Sequence, residues 1–472
     1  MHPAFIDNKN QAAISIYPIT TLGLEKWVSQ QPRHIQQWVK TSQFKAESAQ
    51  FCMIPRQDGH LECVLLGLAD ENDFWSFGAL PSKLPEGCFA IAETEILKDT
   101  TQYQLAALAW GLGFYQFAQY KTEVQPRLAK LMLPTLVDQS SLEKFLSAIE
   151  LTRDLINTPA EDMGPDALEN AVLVVAKKFG ATTHVIKGEK LLKEKYPAVH
   201  AVGRASVREP RVIDLKWGKN KKAPKITLVG KGVCFDSGGL DLKNAAGMLL
   251  MKKDMAGSAM MLSLAQLIMS HDLPVQLRLL IGAVENSVAG NAYRPGDIIK
   301  TRAGKTVEIT NTDAEGRMVL CDLLFEACGE KPDVLIDFAT LTGAARVALG
   351  EDLPALYAQP QSFADDLLQA SRKVNDPIWQ MPLVPQYKEK LKSEMADMIN
   401  AADSPYGGSI TAALFLQAFV TPETNWAHVD VAAWNFKPKA GRPVGGDAFG
   451  VRAIFEYLQN TMLVRSYFIR QY

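Results

Sequence analysis

The sequence predicts an α/β fold with a small N-terminal α/β domain and a larger C-terminal domain, in which helices sandwich a mostly parallel, mixed sheet. Three observations predict this fold. The second half alternates short segments rich in β-branched residues with segments of helical periodicity. Residues 1 to about 135 mix short apolar runs with one long helical pattern. Between these two regions the pattern breaks at Pro134, and a long amphipathic run follows.

The N-terminal domain is assigned to residues 1–138. Its candidate strands are AISIYPI, CVLLGLA and CFAIAE, and its candidate helix is TQYQLAALAWGLGFYQFAQY. The domain has no cluster of acidic residues, histidines or cysteines at metal-ligand spacing, so we expect no catalytic site in it. Its tryptophans and tyrosines are more typical of a hydrophobic core than of a binding platform.

The C-terminal domain is assigned to residues 139–472 and should begin with a connecting helix. Ser140 or Ser141 is a plausible N-cap for the run SLEKFLSAIELTRDLIN. Pro159 should end this helix near Asn157, because the residue before a proline disfavours the helical conformation.

Six segments of the C-terminal domain are candidate strands: THVIKG, RVIDLKW, KITLVGKGV, QLRLLIGAV, DVLIDFATL and NWAHVDVAA. Helical patterns at residues 165–179, 246–270, 317–328 and 409–420 fall among them. This order predicts a mostly parallel sheet that is covered on both faces. Ligands of such sheets gather beyond the carboxyl ends of the strands.

The composition argues against several classes of protein. The 472 residues are 47% hydrophobic and 22% charged with a formal net charge of −2, so nothing favours nucleic acid or an anionic membrane as a partner. The start, MHPAFIDNKNQAA, lacks the pattern of a signal peptide, and no apolar run approaches the ~18 residues that span a bilayer. The six cysteines form no CxxC pair, which favours free thiols in a reducing compartment. We therefore expect a cytoplasmic protein.

Charged residues are concentrated in the glycine-rich and apolar sequence between Lys225 and Arg317. They are Lys231, Asp236, Lys243, Asp254, Asp313, Glu315 and Arg317. Charges in such sequence need counter-charges, and four carboxylates would neutralise two divalent cations. A two-metal site is the economical interpretation, but composition leaves a salt-bridged surface cluster as an equal alternative.

Spacing suggests roles for some of these side chains. Asp313 and Glu315 are two residues apart, so in an extended segment both would project to one side and could bridge two ions. Lys231 is a candidate ligand through its neutral amine, because nearby cations penalise the charged form. Lys243 and Arg317 would stay cationic and face a substrate.

Two residues lie among apolar neighbours, where either a core position or a functional role is conceivable. Met251 lies three residues before Asp254, on the same face of a predicted helix, and could line a pocket. His428 lies in an apolar run and is expected to be a core histidine rather than a ligand.

Two segments, VGKGVCFDSGGLDLK and NTDAEGRMVL, resemble the two signatures of the leucine aminopeptidase (cytosol aminopeptidase) family of dinuclear metallo-exopeptidases. The supporting segments INTPAEDMGPDAL, NAYRPGDII, DFATLTGAARVALG and WAHVDVAAW extend the resemblance over residues 150 to about 450. The segment MINAADSPYGG departs from the family pattern, because its turn is longer and less rich in glycine.

The resemblance implies an aminopeptidase that releases N-terminal residues, leucine-like but of a broad range, from peptides by means of a water activated by two metals. The implied metal ligands are Lys231, Asp236, Asp254, Asp313 and Glu315. Lys243 would polarise the scissile carbonyl, and Arg317 would hold a bicarbonate that acts as the base. Residues implied to contact the substrate are Met251, Thr340 and Gly343, around the first side chain, and Leu341, through its backbone.

The implied cofactors are two divalent ions per subunit, manganese or zinc with magnesium or cobalt as alternatives, together with bicarbonate. The resemblance also implies a homohexamer that acts on peptides. Two other functions stay open. The carboxylate cluster alone would allow another two-metal hydrolase, such as a phosphoesterase. A DNA-binding role of the N-terminal domain is the second alternative, although the near-neutral charge argues mildly against it.

Overall fold

The computed structural model describes residues 1–6 and 12–469, and side chains up to Met462. These residues form two compact units, which are described separately. The first comprises Met1–Glu150 and Asn435–Val444, and the second comprises Leu151–Trp434 and the chain from Gly445 onward. The domain boundary expected at residues 138 and 139 stays a prediction. Within the described ranges, no helix is both long enough and apolar enough to cross a membrane.

The first unit is built on a six-stranded sheet in the order β1-β6-β5-β2-β4-β3. Its strands are β1 (Phe5–Ile6), β2 (Ile14–Thr20), β3 (Phe51–Pro55), β4 (Leu61–Leu68), β5 (Gly87–Ile91) and β6 (Ala129–Met132). Neighbouring strands are parallel except β3 and β4. The helices are α1 (Thr21–Ser29), α2 (Arg33–Thr41) and α3 (Thr100–Phe114), with a 3₁₀ helix at Phe74–Ser82.

Helix α3 ends at Phe114, earlier than the helical pattern that runs to Tyr120. The side chain of Arg127 caps this end of the helix. Its guanidinium donates to the carbonyl oxygens of Gly113 and Tyr115, the latter at 2.7 Å. Carbonyl groups at a helix end have no partner within the helix, so this contact satisfies them.

The predicted connecting helix is α4 (Gln139–Asn157), and its end at Asn157 is confirmed. The predicted cap at Ser140 or Ser141 is wrong. Asp138 Oδ1 accepts a hydrogen bond from the backbone N of Ser141 at 3.0 Å, so Asp138 is the capping residue.

The second unit contains an eight-stranded sheet in the order β15-β14-β17-β13-β9-β10-β8-β7 and a three-stranded sheet in the order β11-β12-β16. The strands are β7 (Thr182–Lys187), β8 (Arg211–Trp217), β9 (Lys225–Asp236), β10 (Gln276–Asn286), β11 (Ile298–Lys300), β12 (Thr306–Glu308), β13 (Val334–Ala339), β14 (Ala355–Gln359), β15 (Trp379–Gln380), β16 (Met398–Ile399) and β17 (Trp426–Asp430). Two short strands follow, β18 (Trp434–Asn435) and β19 (Gly445–Gly446).

The centre of the large sheet is parallel. Strands β17, β13, β9 and β10 are neighbours that run in one direction, whereas β14, β8 and β7 introduce antiparallel pairs. All six predicted strands are present, and the mixed α/β fold class is confirmed. Every residue of β13 and β17 is buried, as expected for strands that are covered on both faces.

The helices of this unit are α5 (Pro165–Phe179), α6 (Lys190–Lys193), α7 (Pro197–Gly203), α8 (Ala245–Met248), α9 (Ala256–Ser270), α10 (Glu315–Gly329), α11 (Gly343–Leu349), α12 (Gln361–Lys373), α13 (Gly408–Gln417) and α14 (Val451–Ile469). Two further 3₁₀ helices span Met251–Met255 and Pro385–Leu391. Helix α5 has the predicted bounds.

The single helix predicted at residues 246–270 is wrong, because the segment divides into α8, a 3₁₀ helix and α9. Helix α9 lies against the sheet so closely that a Cβ atom at Gly257 would be 2.1 Å from the carbonyl oxygen of Phe338. The segment before α9 is wound with about three residues per turn, which keeps Met251 and Asp254 on one face.

The core of the large sheet contains a buried ion pair between neighbouring strands. Asp337 of β13 and His428 of β17 are register partners, and His428 Nδ1 is 2.5 Å from Asp337 Oδ1. Trp426 Nε1 donates to the other oxygen of Asp337 at 2.8 Å. Burial alone would lower the pKa of His428, but the carboxylate of Asp337 outweighs burial and the pKa is raised. The expectation that His428 is a core histidine is confirmed.

We predict that Asp337→Asn lowers the free energy of unfolding by roughly 3–5 kcal/mol at pH 6, because His428 loses its counter-charge. The raised pKa of folded His428 means that the pair stabilises the fold fully below the unfolded value of about 6.5, and that this contribution is lost as pH rises through the folded pKa. Urea unfolding of wild type and variant should therefore differ less as pH increases. Asp366→Asn, at an exposed position on α12, is the control. A difference that does not change with pH would contradict the assignment.

Candidate active site

The predicted charged residues meet at the carboxyl ends of the central parallel strands. Asp236 is the last residue of β9, Asn286 is the last residue of β10, and Thr340 follows β13 directly. In an open parallel sheet this edge is where ligands bind. The edge therefore positions side chains that are distant in sequence around one space.

Carboxylate oxygens of Asp236, Asp313 and Glu315 lie within 4.8 Å of one another. Asp254 joins them through Lys231, whose Nζ is 2.8 Å from Asp254 Oδ2 and 2.8 Å from Glu315 Oε1. Lys243 Nζ is 2.9 Å from Asp236 Oδ2 and also contacts Asp313. Four acids and two lysines thus form one continuous charged cluster.

The segment that carries Asp313 and Glu315 is not extended, so that expectation is wrong. Glu315 is the first residue of α10, and Asp313 lies in the turn before it. Asn311 Oδ1 accepts the backbone N–H of Asp313 at 2.8 Å and supports this turn. The two carboxylates converge because the chain turns into a helix between them.

The loop after β9 orients Asp236. Asp236 Oδ1 accepts hydrogen bonds from Gly238 N and from Asn286 Nδ2, both at 2.8 Å. Gly238 has φ +89°, in the region that favours glycine. Thr312 Oγ1 donates to the carbonyl oxygen of Gly238 at 2.6 Å and ties the two signature segments together.

Sequence reasoning missed Asn286 and Thr312 as supports of the site. Thr312 lies inside the second signature, but its hydroxyl role depends on contact with a distant loop. Asn286 is the register partner of Asp236 in the pairing of β10 with β9. Asn286 is the polar residue that ends the run QLRLLIGAVEN. Its role can be predicted only when the strand order is known, because that order places it beside Asp236.

Burial and the charges of neighbouring side chains shift the pKa values of the residues in this cluster. Burial, followed by the charge of Asp236, raises the pKa of Asp313 to about 6 and raises the pKa of Glu315 well above its usual range. Burial alone would lower the pKa of Lys231, but the carboxylates of Asp254 and Glu315 outweigh it and raise that pKa. The cluster therefore carries more carboxylate than its two lysines neutralise.

These residues fit divalent cations. Glu315 Oε2 is buried and has no hydrogen-bond partner among the described residues, so one acceptor in the middle of the cluster is unsatisfied. Carboxylate oxygens are ligands that divalent cations favour, and excess buried negative charge needs a counter-ion. The observed geometry thus supports metal binding over a surface salt-bridge cluster.

Arg317 is a buried cation beside these acids. Its Nη1 donates to the carbonyl oxygen of Asn400 at 2.8 Å, and its guanidinium lies 6.0 Å from the ring centroid of Phe415. Burial lowers its pKa to about 10, although Glu315 and Asp430 oppose that shift. Its Nε is buried without a partner within the described ranges, so it can still donate to an anion.

A cavity of about 700 Å³ opens onto this cluster, and every residue that the sequence analysis singled out for the site lines it. Some of their polar groups already have partners. Thr340 Oγ1 donates to Asp254 Oδ1 at 2.7 Å, and its carbonyl oxygen accepts from Lys231 Nζ at 2.9 Å. The backbone N–H of Leu341 donates to Asp430 Oδ1 at 2.9 Å. A backbone contact from Leu341 to a substrate would therefore use its carbonyl oxygen.

Two further cations, Lys253 and Arg346, line the cavity and were not predicted. Lys253 lies in the 3₁₀ helix before Asp254, and Arg346 lies on α11. The signal for Lys253 was the pair of lysines within the apolar run LLMKKDMAG. Periodicity could not tell which of the two lysines faces inward.

Comparisons with known proteins agree with this geometry. The catalytic domain of the Cytosol aminopeptidase family matches residues 150–455, and the M17 aminopeptidase N-terminal domain matches residues 14–134. A probable cytosol aminopeptidase of Roseiflexus castenholzii is 39% identical over 390 residues, which is 79% of this chain and 80% of the relative. One of Prochlorococcus marinus is 34% identical over 446 residues, which is 90% of this chain and 91% of the relative.

Solved structures show the same likeness. The crystal structure of a cytosol aminopeptidase from Coxiella burnetii has a TM-score of 0.94 and 51% sequence identity, covering 97% of this chain and 99% of its own. The bottromycin maturation enzyme BotP in complex with Mn has a TM-score of 0.85 and 29% identity, covering 96% of this chain and 100% of its own.

We predict that Gly238→Ala both destabilises the fold and weakens metal binding, whereas Gly296→Ala affects stability alone. A Cβ atom at Gly238 would lie 2.5 Å from the carbonyl oxygen of Asp241, in addition to the cost of the positive φ. Gly296 is a matched control, since it has φ +87° and nothing within 4 Å of a Cβ position. Gly296→Ala should cost about 1–2 kcal/mol of unfolding free energy, and Gly238→Ala should cost more.

Calorimetric titration with Mn²⁺ completes the comparison. Gly238→Ala should weaken Mn²⁺ binding by about tenfold or more, because Gly238 N–H orients Asp236, whereas Gly296→Ala should bind normally. Equal Mn²⁺ affinity in the two variants would contradict the role given to the loop.

Proposed function

Because the chain belongs to the cytosol aminopeptidase family of metal-dependent aminopeptidases, we propose that it releases N-terminal residues from peptides at a site for two divalent metal ions. The observation that carries the proposal is the convergence of the Asp236, Asp313 and Glu315 carboxylates at the sheet edge. The unpartnered Oε2 of Glu315 supports it further.

Five side chains would hold the two ions, with Asp236 and Glu315 shared between them: Lys231, Asp236, Asp254, Asp313 and Glu315. Bound metals supply Lewis acidity and lower the pKa of a water molecule, which provides a nucleophile at neutral pH. Manganese is the first candidate, because BotP was solved in complex with Mn, and zinc is the second. Lys231 would ligate as the neutral amine once cations replace its charge in balancing Asp254 and Glu315.

Lys243 would bind the substrate carbonyl. Its ammonium lines the cavity, and its side chain is only 16% exposed. The carboxylates of Asp236 and Asp313 raise its pKa although burial opposes them, so it stays cationic. A fixed cation at this position would stabilise the negative charge that develops on the carbonyl oxygen.

Arg317 would hold a bicarbonate ion that accepts a proton during the reaction. The described cavity wall contains no histidine that could act as a general base. The unpartnered Nε of Arg317 provides a donor for a planar anion, and the guanidinium fork matches carboxylate-like oxygens.

Met251, Thr340 and Gly343 would surround the first side chain of the peptide, and Leu341 would contact the peptide backbone. One methylene is worth only ~1–3 kcal/mol in an apolar pocket, so a range of first residues that includes leucine should be accepted. The homohexamer, which the family resemblance implies, and the cytoplasmic location, which the sequence composition indicates, stay predictions.

Two substitutions separate metal binding from turnover. Lys243→Ala should keep both metals and lower kcat by about 10²–10³, because it removes only the stabilisation of the carbonyl oxygen. Asp313→Ala should lose metal as well as activity. Metal content and hydrolysis of leucine p-nitroanilide with Mn²⁺ are the measurements, and Lys300→Ala, an exposed lysine on β11, is the control.

The same assays include p-nitrophenyl phosphate as a substrate. Wild type should hydrolyse the leucine anilide and leave the phosphate ester intact. Full peptidase activity in Lys243→Ala or Asp313→Ala would contradict the assigned roles. Faster hydrolysis of the phosphate ester would favour the phosphoesterase alternative.

Bicarbonate should stimulate the wild-type enzyme when it is added to bicarbonate-depleted buffer. Arg317→Met should be slow and should not respond, because the anion loses its binding group. The measurement is the initial rate as a function of bicarbonate concentration at constant pH and ionic strength. An equal stimulation of wild type and Arg317→Met would remove Arg317 from this role.

A further inference from the structure

Lys253 is a buried lysine in the wall of the active-site cavity. It is only 6% exposed, and its ammonium group makes no hydrogen bond or ion pair with any described residue. Its neighbour Lys252 behaves differently, since Lys252 Nζ donates to the carbonyl oxygen of Asn157 at 2.6 Å and lies 5.5 Å from the ring centroid of Trp434. A buried cation without a partner is costly, so a partner is expected to come from outside the chain.

The acids nearest to Lys253 are already engaged. Asp254 accepts hydrogen bonds from Lys231 and Thr340. Asp430 accepts the backbone N–H groups of Leu341 and Thr342 and the hydroxyl of Thr342. Neither carboxylate contacts Lys253 directly, so its charge remains directed at the cavity.

Arg346 adds a second positive charge to the same part of the cavity wall. It lies three residues after Gly343 on α11, which is one helical turn, and Lys253 lies two residues after Met251 in the 3₁₀ helix. Met251 and Gly343 are the residues proposed to surround the first side chain of the substrate. The two cations therefore belong to the same two segments that form that pocket.

A leucine side chain in this pocket would leave the ammonium of Lys253 desolvated and unpaired. A carboxylate of suitable length would instead make charge-assisted hydrogen bonds to it. A basic side chain would add like-charge repulsion. The charge of Lys253 thus favours a substrate whose first side chain is acidic. Met251 adds an apolar wall to the same pocket.

We propose that Lys253, together with Arg346, makes the pocket selective for acidic first residues, so that peptides beginning with glutamate or aspartate are the preferred substrates. This inference rests on the proposed aminopeptidase function and narrows its substrate class. It replaces the leucine-like preference that an apolar pocket would have produced.

The test compares kcat/KM of the Mn²⁺-loaded wild-type enzyme on 7-amido-4-methylcoumarin derivatives of glutamate, glutamine, leucine and lysine. Glutamate and glutamine have the same shape, so their ratio isolates the charge. We expect glutamate to exceed glutamine by about tenfold or more, as one charge-assisted contact would provide. Lysine should be the poorest substrate of the four.

The outcomes distinguish this inference from the function on which it rests. A glutamate-to-glutamine ratio of one or less, with leucine cleaved well, would overturn the acidic selectivity and leave the aminopeptidase function intact. Failure to cleave any of the four derivatives would overturn both.

Lys253→Met keeps an unbranched side chain that is shorter by one atom and removes its charge. The glutamate-to-glutamine ratio should fall by about tenfold in this variant and by less in Arg346→Met, whereas Lys300→Met should keep the wild-type ratio. An unchanged ratio in Lys253→Met would refute the role of Lys253. Because Lys253 adjoins Asp254, Mn²⁺ binding is measured in each variant. If Lys253→Met fails to fold or to bind Mn²⁺, the wild-type ratio and Arg346→Met decide the question.

Discussion

The gathering of three buried carboxylates and a partly buried fourth beside two lysines, at the edge of a parallel sheet, is the constraint on which the rest of the site depends. Asp254 and Glu315 share the ammonium of Lys231. Asp236 and Asp313 share the ammonium of Lys243. Two lysines cannot balance four acids, and burial together with the charge of Asp236 raises the pKa of Glu315. Divalent cations would offset this excess negative charge and supply the Lewis acidity of a reactive centre.

The fold meets this constraint with contacts that bring distant segments together. The pairing of β10 with β9 sets Asn286 beside Asp236, and the hydroxyl of Thr312 ties the loop after β9 to the turn before α10. Close approach also requires small residues, since a Cβ atom at Gly316 would lie 2.5 Å from Lys231 Cε. Backbone groups, and not only side chains, therefore hold the acids in position.

The cavity has two electrostatically different parts. In one part, Lys231 and Lys243 are paired with acids, and their charges are used within the cluster. In the other part, Lys253 has no partner among the described residues and faces the space for a guest. The first arrangement suits the chemical step, which is common to all peptides. The second suits discrimination between peptides, which needs an unsatisfied group that only some substrates can satisfy.

By itself, the sequence determined the mixed α/β fold, the six main strands, the bounds of α5 and the predicted site residues that line the cavity. Those features depend on local periodicity and on short signatures with fixed spacing. Only the tertiary structure decided that the segment 246–270 is divided, that Glu315 begins a helix and that Lys253 rather than Lys252 lines the cavity. These features depend on packing and on the sum of charges from segments far apart in the chain, which no local pattern encodes.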